Sequence, residues 1–170
     1  MRAPQIGFPQ LVQDFFLRRL VAQRGASART VEAYRDAFEL LLGFAEQHTG
    51  KPPSALSLAD LDAPLVLDFL DHLETERGNT ARTRNARLAA IRSFFRFVAM
   101  TDPAHLLHCQ RILSMPNKRT VKRTVTFLDA REIAALLAAP DRNTWAGRRD
   151  HALLLLALQT GLRASELVGL

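Results

Sequence analysis

The chain is 170 residues long, room for one or two domains and no more. Hydrophobic residues make up 48% and charged residues 24%, a globular balance, while only 8 Gly and 8 Pro leave space for long helices and argue against an all-β sandwich. The formal net charge of +6 raises a polyanionic partner without deciding for one. A single cysteine, Cys109, excludes a disulfide framework and fits a reducing compartment. No apolar leader follows Met1, and the longest apolar run, Ala152 to Leu158, is far shorter than the roughly 20 residues of a membrane span. The expectation is a soluble, cytoplasmic, all-α chain with no membrane partner.

Period-3.6 patterning predicts four helices in the first hundred residues. The first runs from about Pro9 to Ala22, with Leu11, Val12, Phe15, Phe16 and Leu20 as its apolar stripe. Gly25-Ala26-Ser27 breaks it, and a second helix follows to about His48, burying Val31, Tyr34, Phe38, Leu41, Leu42 and Phe44. Thr49 to Pro53 reads as a stop and a loop. A third helix spans roughly Asp62 to Arg77, with Leu65, Val66, Phe69, Leu70 and Leu73 inward. Gly78-Asn79-Thr80 ends it and caps a fourth, Ala81 to Met100.

Charge is distributed unevenly along this frame. Residues 80–123 hold ten basic side chains (Arg82, Arg84, Arg87, Arg92, Arg96, Arg111, Lys118, Arg119, Lys122 and Arg123) against Asp102 alone, so the positive excess sits in one central block. Arginine dominates it, and the planar guanidinium fork suits phosphate oxygens and guanine edges. On a wheel of about 100° per residue, Leu88, Ile91, Phe94, Phe95 and Val98 form the core face of the fourth helix. Arg82, Arg92 and Arg96 cluster on the other side. Arg84 and Arg87 fall on the apolar meridian, which suggests that the first turns, rich in Thr, Arg and Asn, project beyond the bundle as a groove reader.

After Met100 the periodicity dissolves, and residues 102–126, with Pro103, Pro116 and the basic string Asn117 to Arg123, read as an interdomain linker able to lie along a phosphate backbone. Beyond it, Asp129 caps a helix with Ile133, Leu136 and Leu137 inward, closed by Pro140. Arg148 to Leu158 is so apolar that it should be buried on most sides. Gly161 marks its end, and Ala164 starts a further helix that stops with the chain at Leu170. His105, His108 and Cys109 lack a fourth ligand at suitable spacing, so no metal site is expected. There is no Gly-rich phosphate loop or nucleotide fingerprint, and no small-molecule substrate is implied.

Thr160-Gly161-Leu162-Arg163-Ala164-Ser165-Glu166-Leu167 resembles the first catalytic box of the tyrosine recombinases, the phage-integrase and Xer-type family. Thr30-Val31-x-x-Tyr34, Leu88-x-x-Ile91-Arg92-x-Phe94-Phe95 and Leu128-x-x-x-Glu132-Ile133 are consistent with it. The resemblance implies a four-helix SAM-like core-binding domain over 5–101, a basic linker over 102–126, and over 127–170 the first helices of an incomplete, mainly α catalytic domain. It implies double-stranded DNA as partner, contacted by Arg29, Thr30, Arg82, Thr83, Arg84, Arg87, Arg92, Lys118, Arg119, Lys122 and Arg123, and a homo-oligomer on that DNA. Arg163 would clamp the scissile phosphate, and Glu166 would support it. The family cleaves through a tyrosine that forms a 3′-phosphotyrosyl intermediate, with a hairpin lysine, a His-x-x-Arg box and a further His or Trp, and with no metal or cofactor. All of these follow the first arginine in the family. Tyr34 has core spacing instead, and His108-x-x-Arg111 stands before Arg163, a coincidence of spelling. The chain alone is therefore expected to bind DNA without cutting it. A non-catalytic DNA-binding regulator or decoy on the same bundle is the alternative, and a protein-contacting module is a third reading.

Overall fold

The computed structural model describes residues 7–23, 25–121 and 127–169. They fall into two compact units, one within Met1–Val121 and one within Lys122–Leu170. Every described element is helical: α1 (Phe8–Asp14), α2 (Ala28–Thr49), α3 (Ala63–Thr75), α4 (Ala81–Thr101), α5 (Leu106–Leu113), α6 (Ala130–Ala138), α7 (Trp145–Thr160) and α8 (Ala164–Leu167), with three short 3₁₀ turns between them.

The first unit departs from a regular first helix. Beyond Asp14 the chain continues over Phe15–Gln23 in wide i→i+5 turns. Phe15 and Leu20, five residues apart, are both fully buried. An α-helix would swing them about 140° apart, and the wider turns put them on one face. At the starts of α2, α3 and α4, Ser27, Asp62 and Thr80 each accept a hydrogen bond from the backbone N–H three residues on. All five inward residues expected of α3 and all five of α4 are buried. In α2, Phe38, Leu41 and Phe44 are buried, while Val31, Tyr34 and Leu42 are half-buried at the core's edge.

The core is centred on aromatic rings. Phe94 meets Phe8, Phe15, Phe38 and Phe95 with centroids 5.3–6.0 Å away, all four edge to face. Phe94→Ala is expected to cost roughly 3–5 kcal/mol, because so tightly ringed a site cannot collapse onto the hole. Chemical denaturation checks this, and a loss below about 1 kcal/mol would mean that the ring is not central.

Within 102–126, read from the sequence as an interdomain linker, the structure forms a helix, α5. A 3₁₀ turn over Pro103–His105, opened by Asp102, leads into α5, whose Cys109 and Ile112 are fully buried together with Met115 just beyond. The apolar spacing Cys109, Ile112, Met115 is a short i, i+3, i+6 stripe. The compact unit therefore runs past residue 101, and the early proteolytic cleavage a free linker implies is not expected over 103–115.

His108 docks the same helix onto the α2–α3 connection, with Nε2 3.2 Å from the Leu61 carbonyl oxygen and its ring beside Phe95. Burial pushes its pKa below 6.5, with the Leu61 contact opposing. The unfolded chain then binds a proton that the native state refuses, so stability present above about pH 6.5 should fall as pH drops through the folded pKa. A comparison of denaturation against pH for the wild type and His108→Gln checks it: the variant should lose this part of the pH slope. Burial likewise raises the Cys109 thiol to about 11, which keeps it an inert core group.

In the second unit Asp129 caps α6, as the sequence indicated, and Glu132 completes a reciprocal capping box with it. Thr144 caps α7, and His151 Nδ1 lies 2.8 Å from the Leu137 carbonyl oxygen, tying α7 to α6. A Cβ at Gly147 would stand 1.9 Å from the Asp141 carbonyl oxygen, so this close turn requires glycine. The expectation that α7 is buried on most sides is not met among the described residues. Leu153, Leu155, Leu156 and Leu158 are each more than a third exposed, because α6 can cover only one flank of an apolar helix. Ile133 and Leu137 are half-buried and Leu136 is exposed.

Candidate nucleic-acid interface

The basic block is built on α4. Residues 82, 92 and 96 share the side of the helix opposite the core, and there Arg82 and Arg96 are exposed while Arg92 is half-buried. Arg92 Nη1 donates to Asn117 Oδ1 at 3.0 Å, and its Nε is buried without a hydrogen-bond partner. Burial disfavours its charge, and Arg96 and Arg84 repel it further. An arginine stays protonated regardless, so Arg92 carries a charge that burial first, and its arginine neighbours second, disfavour. Arg87 is half-buried, its Nη1 is without a hydrogen-bond partner among the described residues, and burial and Arg77 disfavour its charge while Asp36 opposes them.

Arg84 corrects the idea that the first turns of this helix project beyond the bundle. Only 5% of it is exposed. It lies on the apolar meridian because α3 supplies its partner: Nε stands 3.3 Å from Glu74 Oε2, although the angle does not make a hydrogen bond. A buried charge needs such a counter-ion. Lys118 Nζ meets the same Glu74 oxygen at 2.6 Å. Sequence reasoning missed Glu74, although the signal was present: an arginine among core positions calls for a carboxylate, and the end of α3 carries one.

Lys118 and Arg119 are exposed, and Lys118 is fixed by its backbone as well as by Glu74. Lys122 and Arg123 lie outside the described residues. Thr83 and Thr30 serve helix starts: each backbone N–H donates to the cap hydroxyl, Thr80 or Ser27, and each hydroxyl lies within 3.2 Å of that oxygen. Arg29 is exposed in the first turn of α2.

In the second unit, Gly161 ends α7 in the left-handed conformation at φ 67°, and the chain turns directly into α8. That turn presents Arg163 outward, its side chain 83% exposed, at the start of α8. Glu166 holds it from one turn on: its Oε2 accepts from the Arg163 backbone N–H at 2.7 Å and its Oε1 lies 3.4 Å from Nη1. The two residues are thus brought together, and among the described residues Glu166 is the one ion-pair partner of the Arg163 guanidinium. Tyr34 is half-buried in α2, its ring stacked with that of Phe15.

Residues 14–101, just over half the chain, match the model of the phage integrase N-terminal SAM-like domain. The chain belongs to the phage integrase family. Similar proteins include one of Sinorhizobium fredii carrying the name integrase/recombinase y4rC, 54% identical over 94% of this chain and 48% of its own length. Tyrosine recombinase XerC of Rhodospirillum centenum is 35% identical, over 90% of this chain and 45% of its own. Tyrosine recombinase XerD of Brucella abortus is 32% identical, over 94% and 52%. No solved structure matches. The integrase-family chain spans about half the length of these curated relatives. Its matched SAM-like segment ends with α4, whereas the compact unit also takes in α5. Among the described residues no helix is long and apolar enough to cross a membrane.

Proposed function

We propose that this chain is the DNA-gripping part of a site-specific recombinase together with the opening of its catalytic domain. The observation that carries the reading is the concentration of arginine on α4 beside the fixed Lys118, in a chain that also presents the Arg163–Glu166 pair. Arg82, Arg92, Arg96, Lys118 and Arg119, with Arg29 on α2, are assigned to phosphates of double-stranded DNA. Arg84 is assigned to positioning and not to base reading, because its guanidinium faces Glu74. Arg87, half-buried on the meridian of the core face, is assigned to a phosphate apart from those of Arg82, Arg92 and Arg96. Lys122 and Arg123 continue the basic string. The protein would work in the cytoplasm as a homo-oligomer on its DNA.

The chemistry follows from charge development. As an attacking oxygen adds to the scissile phosphate, negative charge builds on its non-bridging oxygens, and a preplaced guanidinium stabilises it more in the transition state than before. Arg163 supplies that group, and Glu166 fixes its direction without touching the substrate. Tyr34, in a half-buried stack, is not the nucleophile. In a full-length recombinase carrying this segment, Arg163→Ala should lower strand cleavage by roughly 10²–10³ and leave duplex binding unchanged. Cleavage of a nicked suicide substrate and gel-shift titration read the two effects separately. Unimpaired cleavage by the variant would remove Arg163 from the reaction.

A further inference from the structure

Asn117 and Lys118 are held along α4 by contacts that no linker requires. Met115 anchors the upstream end in the core. Asn117 Oδ1 accepts from Arg92, and the Lys118 peptide is gripped on both sides by one side chain: its N–H donates to Asn85 Oδ1 at 3.0 Å, and Asn85 Nδ2 donates to its carbonyl oxygen at 2.8 Å. An amide that pairs with a backbone peptide in this way selects one register, as a strand neighbour would. Residue 117 meets Arg92 and residue 118 meets Asn85, so the segment runs back toward the N-terminus of α4. Asn85 and Arg92 are seven residues apart, two helical turns on nearly one face. Arg92 spans the gap because long helical side chains lean toward the N-terminus. Glu74 then takes the Lys118 ammonium.

We infer that the segment through Asn117 and Lys118 is a docked basic strap, locked in register on α4 by Asn85, Arg92 and Glu74, and that this locking makes strap and helix one preorganised cationic surface for a duplex backbone. The inference rests on the DNA-binding reading and adds to it two positioning residues, Asn85 and Glu74, that touch no phosphate themselves. Their effect is to hold Lys118 on the arginine-bearing side of α4 before binding, so that ordering the strap does not weaken the complex.

The test uses the whole 170-residue chain and two readouts. Without DNA, amide hydrogen exchange should show the Lys118 N–H protected relative to its exposed neighbours Arg119 and Thr120, and Asn85→Ala should remove that protection with the thermal midpoint of the unit nearly unchanged. With a fluorescent duplex of mixed sequence, Asn85→Ala should weaken binding by roughly tenfold or more while the salt slope stays the same, since no cation is lost. Asn117→Ala, at an exposed position, should show the same pattern with a smaller loss. Protection that survives Asn85→Ala overturns the locking. Lost protection with unchanged affinity overturns its part in binding. If the wild-type chain binds no duplex, the DNA reading fails and the strap's role with it, whereas binding by the wild type that Asn85→Ala leaves intact strikes only the strap.

Discussion

Glu74→Leu is expected to lower the stability of the first unit by about 3 kcal/mol, since it strands the Arg84 guanidinium in the core without a counter-ion. Solvent reaches Glu74 more than Arg84, with side chains 20% and 6% exposed, which holds the cost toward the low end of what breaking a buried pair brings. Glu74→Leu with Arg84→Leu should recover to within about 1–2 kcal/mol of the wild type, because replacing both members of a buried pair by apolar groups is often neutral. Urea denaturation of the four forms closes the cycle. A single variant as stable as the wild type would show that Arg84 is not held by Glu74. The result also separates two roles for Arg84: a base reader would lose DNA affinity on substitution without losing stability.

Removing Arg82, Arg96 and Arg119 together, each to alanine, is expected to weaken duplex binding by roughly 10²–10³ at 0.1 M salt. Each phosphate contact adds close to one to the log–log salt slope, so the slope should become shallower by about three. All three side chains are exposed, so folding should be unaffected. The loss should be the same on any duplex sequence, because backbone contacts position and do not specify. Fluorescence anisotropy on two unrelated duplexes checks it. A loss confined to one sequence would turn these arginines into base readers.

Much of the first unit was legible because its information is local. Ser27, Asp62 and Thr80 announce helix starts, and Leu65 to Leu73 and Leu88 to Val98 repeat at the helical period. Three features were not legible, for three different reasons. The wide turns after Asp14 depend on which neighbours Phe15 and Leu20 must both reach, and that is decided by the tertiary core. The short α5 stripe, between two prolines and beside a basic string, was too brief to outweigh the linker signals around it. Arg84 lies on the apolar meridian that periodicity indicates, but the consequence is burial and not projection, because its partner Glu74 comes from another helix.

At the candidate site the same division holds. The Arg163–Glu166 pair is four residues of local sequence beside a helix-ending Gly161, and it was visible from the motif. The strap was not, because Asn85 and Lys118 are 33 residues apart and nothing in either neighbourhood names the other. The apolar face of α7 shows the limit of periodicity from the other side. The sequence states that Leu153 to Leu158 avoid water, but it does not say what covers them.

The most direct test of the DNA reading is the salt dependence of duplex binding by the 170-residue chain. About six cations of the basic block meeting phosphates should give a log–log slope of about −5 between low and moderate salt, the release of that many counter-ions. A flat response would contradict the account, leaving the arginine face of α4 as the docking surface of some neutral or protein partner.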